Sequence, residues 1–126
     1  MKVTIDRLGH LGDGIAQGEN GPVFVAGMLP GEVVEGDLEG DRLVNTRIVT
    51  PSAARIKPPC PHARTCGGCL MQHASDAMVA DWKTAHVEGA LAGQGLHAPF
   101  RPILTSPSQS RRRATFAGRR TKGGSM

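Results

Sequence analysis

Over the first 50 residues short β-branched runs alternate with turn residues, and inside each run apolar and polar positions alternate with the period of a strand. "VTIDRL" (3–8) predicts a strand, "GHLGDG" a turn and "IAQG" a short strand. "ENG" turns into "PVFVAG" (22–27), where Val23 and Val25 face one side and Phe24 and Ala26 the other. In "LPGE", Pro30 is preset for the second position of a turn and Gly31 is free to take positive φ. "EVVEGDL", an "EGD" turn and "RLVNTRIV" complete five strands spaced roughly ten residues apart, the pattern of a small sandwich or barrel. A five-stranded OB-like barrel is the economical closed form at this size.

The pattern then changes twice. "TPSAARIKPPCP" (50–61) is rich in proline, which withholds ladder hydrogen bonds, so an extended connector is expected. "SDAMVADWKTAHVEGALAGQG" (75–95) is the one good helix candidate, with Ser75 or Asp76 to cap it and Gly93 and Gly95 to stop it. Met78, Trp82 and Ala85 share one face and Ala80, Val87 and Leu91 another, which predicts a helix clamped between other elements. "HAPFRPILTSPSQS" is again connector, and "RRRATFAGRR" (111–120) alternates well enough to begin a strand holding Thr115 and Phe116. "TKGGSM" offers that strand no partner. The expected organisation is a barrel over 1–55, a cysteine loop over 56–75, a helix over 76–95 and a basic β-region beginning in 96–126.

Charge divides the chain along the same line. Residues 1–55 hold five Lys/Arg against eight Asp/Glu, and residues 56–126 hold ten against three. From Arg101 onward there are seven basic residues and no acid, which points to an anionic partner, nucleic acid being the commonest, or else to a solvated basic tail. Arg111, Arg112, Arg113, Arg119, Arg120 and Lys122 are the candidate phosphate contacts. Phe24 is the one aromatic of the barrel, a core residue or a base-stacking platform. The apolar run "PVFVAGMLPG" is too short to span a bilayer, and the start has no signal-peptide run, so no membrane association and a cytoplasmic location are expected.

All three cysteines, Cys60, Cys66 and Cys69, fall in "CPHARTCGGC". In a reducing compartment such a cluster indicates metal ahead of disulfides. The two-residue gap between Cys66 and Cys69 lets one metal or cluster edge take both thiolates, and Gly67 and Gly68 free the backbone between them. No acid occurs from Ser52 to Ser75, so thiolate charge is favoured there. Spacing alone leaves two metal readings open. One is an iron–sulfur cluster with a fourth cysteine elsewhere; the other is zinc held by the cysteines with His62 or, better placed, His73.

"CPHARTCGGCLMQH", with "RIKPPCPH" before it and "DWK" after it, resembles the iron–sulfur segment of the S-adenosylmethionine-dependent RNA uracil-5-methyltransferases, the 23S rRNA and tRNA 5-methyluridine enzymes. "IDRLGHLGDGIA", "PVFVAGMLPGEVV" and "TRIVTPSAARIKP" resemble that family's TRAM domain, an OB-like RNA-binding barrel, and "SPSQSRRRATFAGR" resembles the opening of its central β-region. Met78 stands where many members have an aromatic residue. The resemblance implies a 4Fe–4S cluster on Cys60, Cys66 and Cys69, an RNA partner, rRNA or tRNA and not DNA, and a monomer. The family's fourth cysteine lies further along, so the resemblance also implies truncation ahead of a Rossmann-like domain that binds S-adenosylmethionine and carries the nucleophilic cysteine and the base. No catalytic or methyl-donor-binding residue is therefore expected in these 126 residues. The alternative is a stand-alone RNA- or zinc-binding module without catalysis.

Overall fold

The computed structural model describes residues 1–66, 68–116, 118, 120, 121 and 123–125. Six strands form one curled sheet: β1 (Lys2–Thr4), β2 (Arg7–Leu8), β3 (Gly14–Gly18), β4 (Gly21–Val25), β5 (Val33–Glu39) and β6 (Arg42–Thr50). The expected first strand is broken in two. At Ile5 and Asp6 the chain leaves one partner for another: β1 pairs antiparallel with β5, and β2 pairs antiparallel with β3. Ile5 N–H donates to the Glu32 carbonyl at 2.9 Å and Asp6 N–H to the Ile15 carbonyl at 2.8 Å, so the corner keeps both sides bonded.

The order β1-β5-β6-β4-β3-β2 places β1 and β2 at opposite edges of the sheet. Because only two residues join them, the edges are drawn together and the sheet curls on itself. With β1 and β2 counted as one bent strand, five strands remain in the OB-like Greek-key order, with the third and fifth parallel through Phe24 opposite Arg42. Alternation puts Val3, Ala16, Val23, Val25, Val34 and Leu43 inside, where they join Ile5 and Met28, with Ile48 against them. Phe24 faces the other way. It is half-buried, and the Arg42 guanidinium lies 5.9 Å over its ring. The "LPGE" turn forms as expected: Glu32 N–H donates to the Leu29 carbonyl at 3.2 Å, and Gly31 takes φ 86°, a conformation costly for any side-chain-bearing residue.

Beyond the barrel one helix, α1, spans Asp76–Ala92 among the described residues. The Ser75 side chain accepts from Met78 N–H, and Gly93 N–H returns to the Gly89 carbonyl. The helix is not clamped: none of its residues is buried. Trp82 is half-buried near Gly12 in the turn before β3, and its ring meets His86 edge-on at 5.0 Å. Val87, on the face expected to be covered, is 55% exposed.

The strand expected to hold Thr115 and Phe116 is absent, and Phe116 is exposed. Among the described residues β7 (Arg120–Thr121) pairs instead with β8 (Gly124–Ser125), so "TKGGSM" supplies a partner for the end of "RRRATFAGRR" at Arg120. Residues 111–116 find no strand to pair with among the described residues, and without a ladder alternation alone does not make a strand.

Candidate metal centre and its basic flank

The connector that follows β6 is pinned to the barrel by one buried ion pair. Glu32 has no exposed surface, and Arg55 grips it from two nitrogens, Nε to Oε2 at 2.7 Å and Nη2 to Oε1 at 2.7 Å. Glu32 also accepts from the backbone N–H of Leu29 and from that of Ser52 at 3.1 Å, and Arg55 Nη2 donates to the Gly27 carbonyl at 2.6 Å. Burial pushes the Glu32 carboxyl upward, but the hydrogen bonds from Arg55, Leu29 and Ser52 and the Arg55 charge outweigh it and hold it below the usual range. Nothing local in the sequence announces this pair, because its partners lie 23 residues apart. The one available signal was a carboxylate at the head of the apolar run "EVV".

From Arg55 the order passes to the cysteine segment. Arg55 forms a bridge with Ala74, Ile56 N–H donates to the His73 carbonyl at 3.0 Å, and Ser75 N–H donates to the Ala54 carbonyl at 2.8 Å. Residues 54–56 and 73–75 thus make a two-sided clasp, and the cysteine segment is the loop it encloses. Inside the loop the chain winds through successive turns: Ala63 N–H to the Cys60 carbonyl (3.2 Å), Thr65 N–H to the His62 carbonyl (3.1 Å) and Cys66 N–H to the same carbonyl (2.8 Å). Gln72 Oε1 reaches back across the loop to accept from Cys60 N–H at 3.2 Å.

A cavity of about 730 Å³ lies between this loop and the barrel. Its barrel wall includes Met28 and Ile48, and its loop wall includes Arg64, Cys66, Cys69, Gln72 and His73. Two of the three predicted ligands, half-buried Cys66 and exposed Cys69, therefore line one cavity, while Cys60, also exposed, stands at the start of the turn outside its lining. No disulfide joins the cysteines. His62 is exposed; His73 is half-buried, and its Nε2 is buried without a hydrogen-bond partner. Burial lowers the His73 pKa from its ordinary value, the Arg55 charge adds to the fall and the Glu32 charge opposes it.

The donor set includes thiols and an imidazole, which suit a thiophilic metal in kind, but the Asp13 carboxylate lines the same cavity. These donors are not gathered as a ligand set, since among the described residues no three His, Cys, Asp or Glu side chains are grouped to hold one ion.

The basic flank lies against this loop. A Cβ added to Gly68 would stand 2.8 Å from the Thr115 carbonyl oxygen and 3.4 Å from Cys66 Sγ. The backbone that continues Arg111–Arg113 therefore crosses directly over the cysteine turn, and only glycine leaves room for it. Arg111, Arg112, Arg113 and Arg120 are exposed, while Arg119 and Lys122 lie outside the described residues, as does Gly67. In the barrel, by contrast, Arg42 and Arg47 pair with Asp13 and Glu35, and Arg55 with Glu32. The cations exposed without a carboxylate partner concentrate in the second half of the chain.

No protein-family model matches the chain. Curated relatives do. An uncharacterized RNA methyltransferase of Rhizobium meliloti is 41% identical over 126 residues, covering 95% of this chain and 30% of that protein. One of Brucella suis is 37% identical over 123 residues, covering 98% of this chain and 30% of its own length. The 23S rRNA (uracil(1939)-C(5))-methyltransferase RlmD of Pectobacterium atrosepticum is 36% identical over 124 residues, covering 93% and 28%. The chain spans about 30% of the length of the relatives it matches, in their N-terminal portion. Through this homology along nearly its whole length, the chain belongs to the RNA methyltransferase family, whose N-terminal part it represents.

Proposed function

We propose that the chain is the RNA-engaging N-terminal part of an enzyme that methylates C5 of a uridine in ribosomal or transfer RNA, with S-adenosylmethionine as methyl donor. The observation that carries this is the alignment of almost the entire chain with a 23S rRNA uracil-C5-methyltransferase. The barrel is a TRAM-type RNA-binding module, and Cys60, Cys66 and Cys69 hold a 4Fe–4S cluster together with a ligand from outside these residues. When bound, the cluster supplies a rigid thiolate-anchored node, and uracil methylation asks no electron of it. The protein's own contribution is positional. The Glu32–Arg55 pair fixes the cysteine loop to the barrel, and the backbone of Thr115 and Phe116, which follows Arg111–Arg113, lies against Gly68 of the loop.

That arrangement gives RNA a cationic track beside the loop, with phosphate contacts from Arg111, Arg112, Arg113 and Arg120. Phe24 is a poor stacking platform, because Arg42 occupies a face of its ring. Methyl-donor binding, the nucleophilic cysteine and the base are assigned to no residue of this chain. The protein acts as a monomer in the cytoplasm, with RNA and not DNA as partner. No helix among the described residues is long and apolar enough to cross a membrane.

The test is transfer of labelled methyl from S-adenosylmethionine to rRNA and tRNA transcripts by the protein translated from the complete gene, with nucleoside analysis of the product. 5-Methyluridine at one position supports the proposal. Label on another base or atom, or RNA binding with no transfer to any transcript, contradicts it.

A further inference from the structure

Along α1, Ala80, Thr84, Val87 and Leu91 follow one another at helical spacing, on the side opposite Met78 and Trp82. Trp82 takes cover from the Gly12 turn. The opposite row has no such cover: Val87 is exposed, and no residue of the helix is buried. Helical spacing sets Asp76 and Lys83 along one border of the row and Asp81 and Glu88 along the other, so it is a narrow apolar strip between charges.

The end of the helix lengthens the strip. Gly95 takes φ 72°, its N–H donates to the Ala92 carbonyl at 2.9 Å, and Leu96 N–H donates to the Leu91 carbonyl at 2.9 Å. These are the paired bonds of a Schellman turn, which brings Leu96 back to the level of Leu91. Leu96 is nevertheless 56% exposed, and Phe100, Ile103 and Leu104 after it are exposed too, Leu104 at 95%. From Ala85 to Phe116 every described residue except half-buried Leu91 is exposed. An uncovered apolar run of this length marks a surface that takes a partner.

The chemistry of the strip narrows the choice of partner. From Thr84 to Phe100 there is no Lys or Arg, and Glu88 lies within the stretch, so it offers nothing to phosphate. Depletion of charge with apolar side chains at the centre is the character of a protein interface. The relatives that this chain matches align with it over only 30% of their length, in their N-terminal portion. A segment tethered to the same chain meets the strip at high effective concentration, an advantage that a second copy lacks.

We propose that the Val87–Leu104 strip is the docking surface for the part of the enzyme that follows these residues, which makes α1 the layer between that part and the barrel. The proposal stands on the family membership shown above, and is independent of which base is methylated and of what the cysteines hold. It supplies the second of the two neighbours that the apolar faces of α1 call for.

The test is hydroxyl-radical footprinting of the protein translated from the complete gene, which reads side-chain accessibility residue by residue. A synthetic peptide of residues 84–104 serves as the exposed reference. Val87, Leu96 and Leu104 should be labelled several-fold more slowly in the protein than in the peptide, and this protection should persist on dilution and without RNA. Leu104→Glu should raise the labelling of Val87 and Leu96, and Leu104→Met should not. The wild-type footprint needs no variant to fold. Labelling of Val87, Leu96 and Leu104 at the rate of the peptide overturns the proposal. Protection that vanishes on dilution assigns the strip to a second copy, and protection that appears only with an rRNA or tRNA transcript assigns it to RNA; either result overturns it as well.

Discussion

Arg55 and Glu32 meet through two parallel hydrogen bonds of 2.7 Å in a site where Glu32 has no exposed surface. Their 23-residue separation joins the barrel to everything that follows it. Removing one partner leaves the other charge buried and uncompensated, which in such pairs costs about 3 to 5 kcal/mol. Arg55→Ala should therefore lower the unfolding free energy by that order in urea titrations. Trp82, the chain's single tryptophan, sits beside the Gly12 turn and reports the same transition by fluorescence. A loss below about 1 kcal/mol, the range of an exposed pair, would show that the clasp does not bind the two parts together.

The same pair fixes a pH dependence. Glu32 is held below its ordinary value of 4.5, so its contribution is complete above that pH and is lost as pH falls through the lowered folded value. His73 is also held low, below its ordinary 6.5; its contribution is present above 6.5 and is lost as pH falls toward the folded value. Stability measured by denaturant midpoints should thus decline on acidification in two stages, and His73→Leu should flatten the earlier one. A midpoint constant from pH 7 to pH 3 would contradict both shifts.

Gly68 tests the crossing of the basic segment over the cysteine turn. In Gly68→Ala the new methyl would lie 2.8 Å from the Thr115 carbonyl, a distance that real Cβ atoms essentially never show, so one of the two backbones must move. Trypsin cleavage after Arg111, Arg112 and Arg113 should accelerate, with little change in the barrel's resistance. Identical cleavage rates in the two proteins would mean that the segment does not rest on the turn.

For RNA, the distribution of exposed cations gives a direct expectation. Arg111, Arg112 and Arg113 are exposed, whereas Arg42, Arg47 and Arg55 are paired within the barrel. Replacing all three of the former by alanine should weaken binding across sequences and reduce the slope of log K against log salt by roughly 2, at about 0.7 per single-strand phosphate contact. Replacing Arg47 by alanine should leave the slope unchanged. The reverse result would move the footprint to the barrel.

How far the sequence alone could be read depended on whether an element is set locally. Turn chemistry at Pro30–Gly31 and the alternation of Val23 and Val25 placed the strands, and Ser75 and Gly93 placed the ends of α1, because each acts within a few residues. The break at Ile5–Asp6 was hidden, since a strand that changes partners keeps its alternation. The apolar faces of α1 suggested burial that the fold does not give it, as a side chain's polarity says nothing about whether a neighbour is present. Thr115 and Phe116 failed as a strand for the same reason, the want of a pairing partner. At the candidate site the cysteine spacing was legible. The clasp that holds the loop, and the shared cavity of Cys66, Cys69 and His73, are long-range consequences of the fold.

The cysteine turn is where structure and chemistry are tied together most closely, and one determination decides it. The protein translated from the complete gene, reconstituted anaerobically with iron and sulfide and freed of excess reagent, is analysed for iron, acid-labile sulfide and zinc, alongside its Cys60→Ala, Cys66→Ala and Cys69→Ala variants. Iron and sulfide in near-equal amounts, with broad visible absorption that each substitution abolishes or sharply reduces, is the predicted result. Stoichiometric zinc without sulfide, or iron uptake indifferent to all three substitutions, would contradict it.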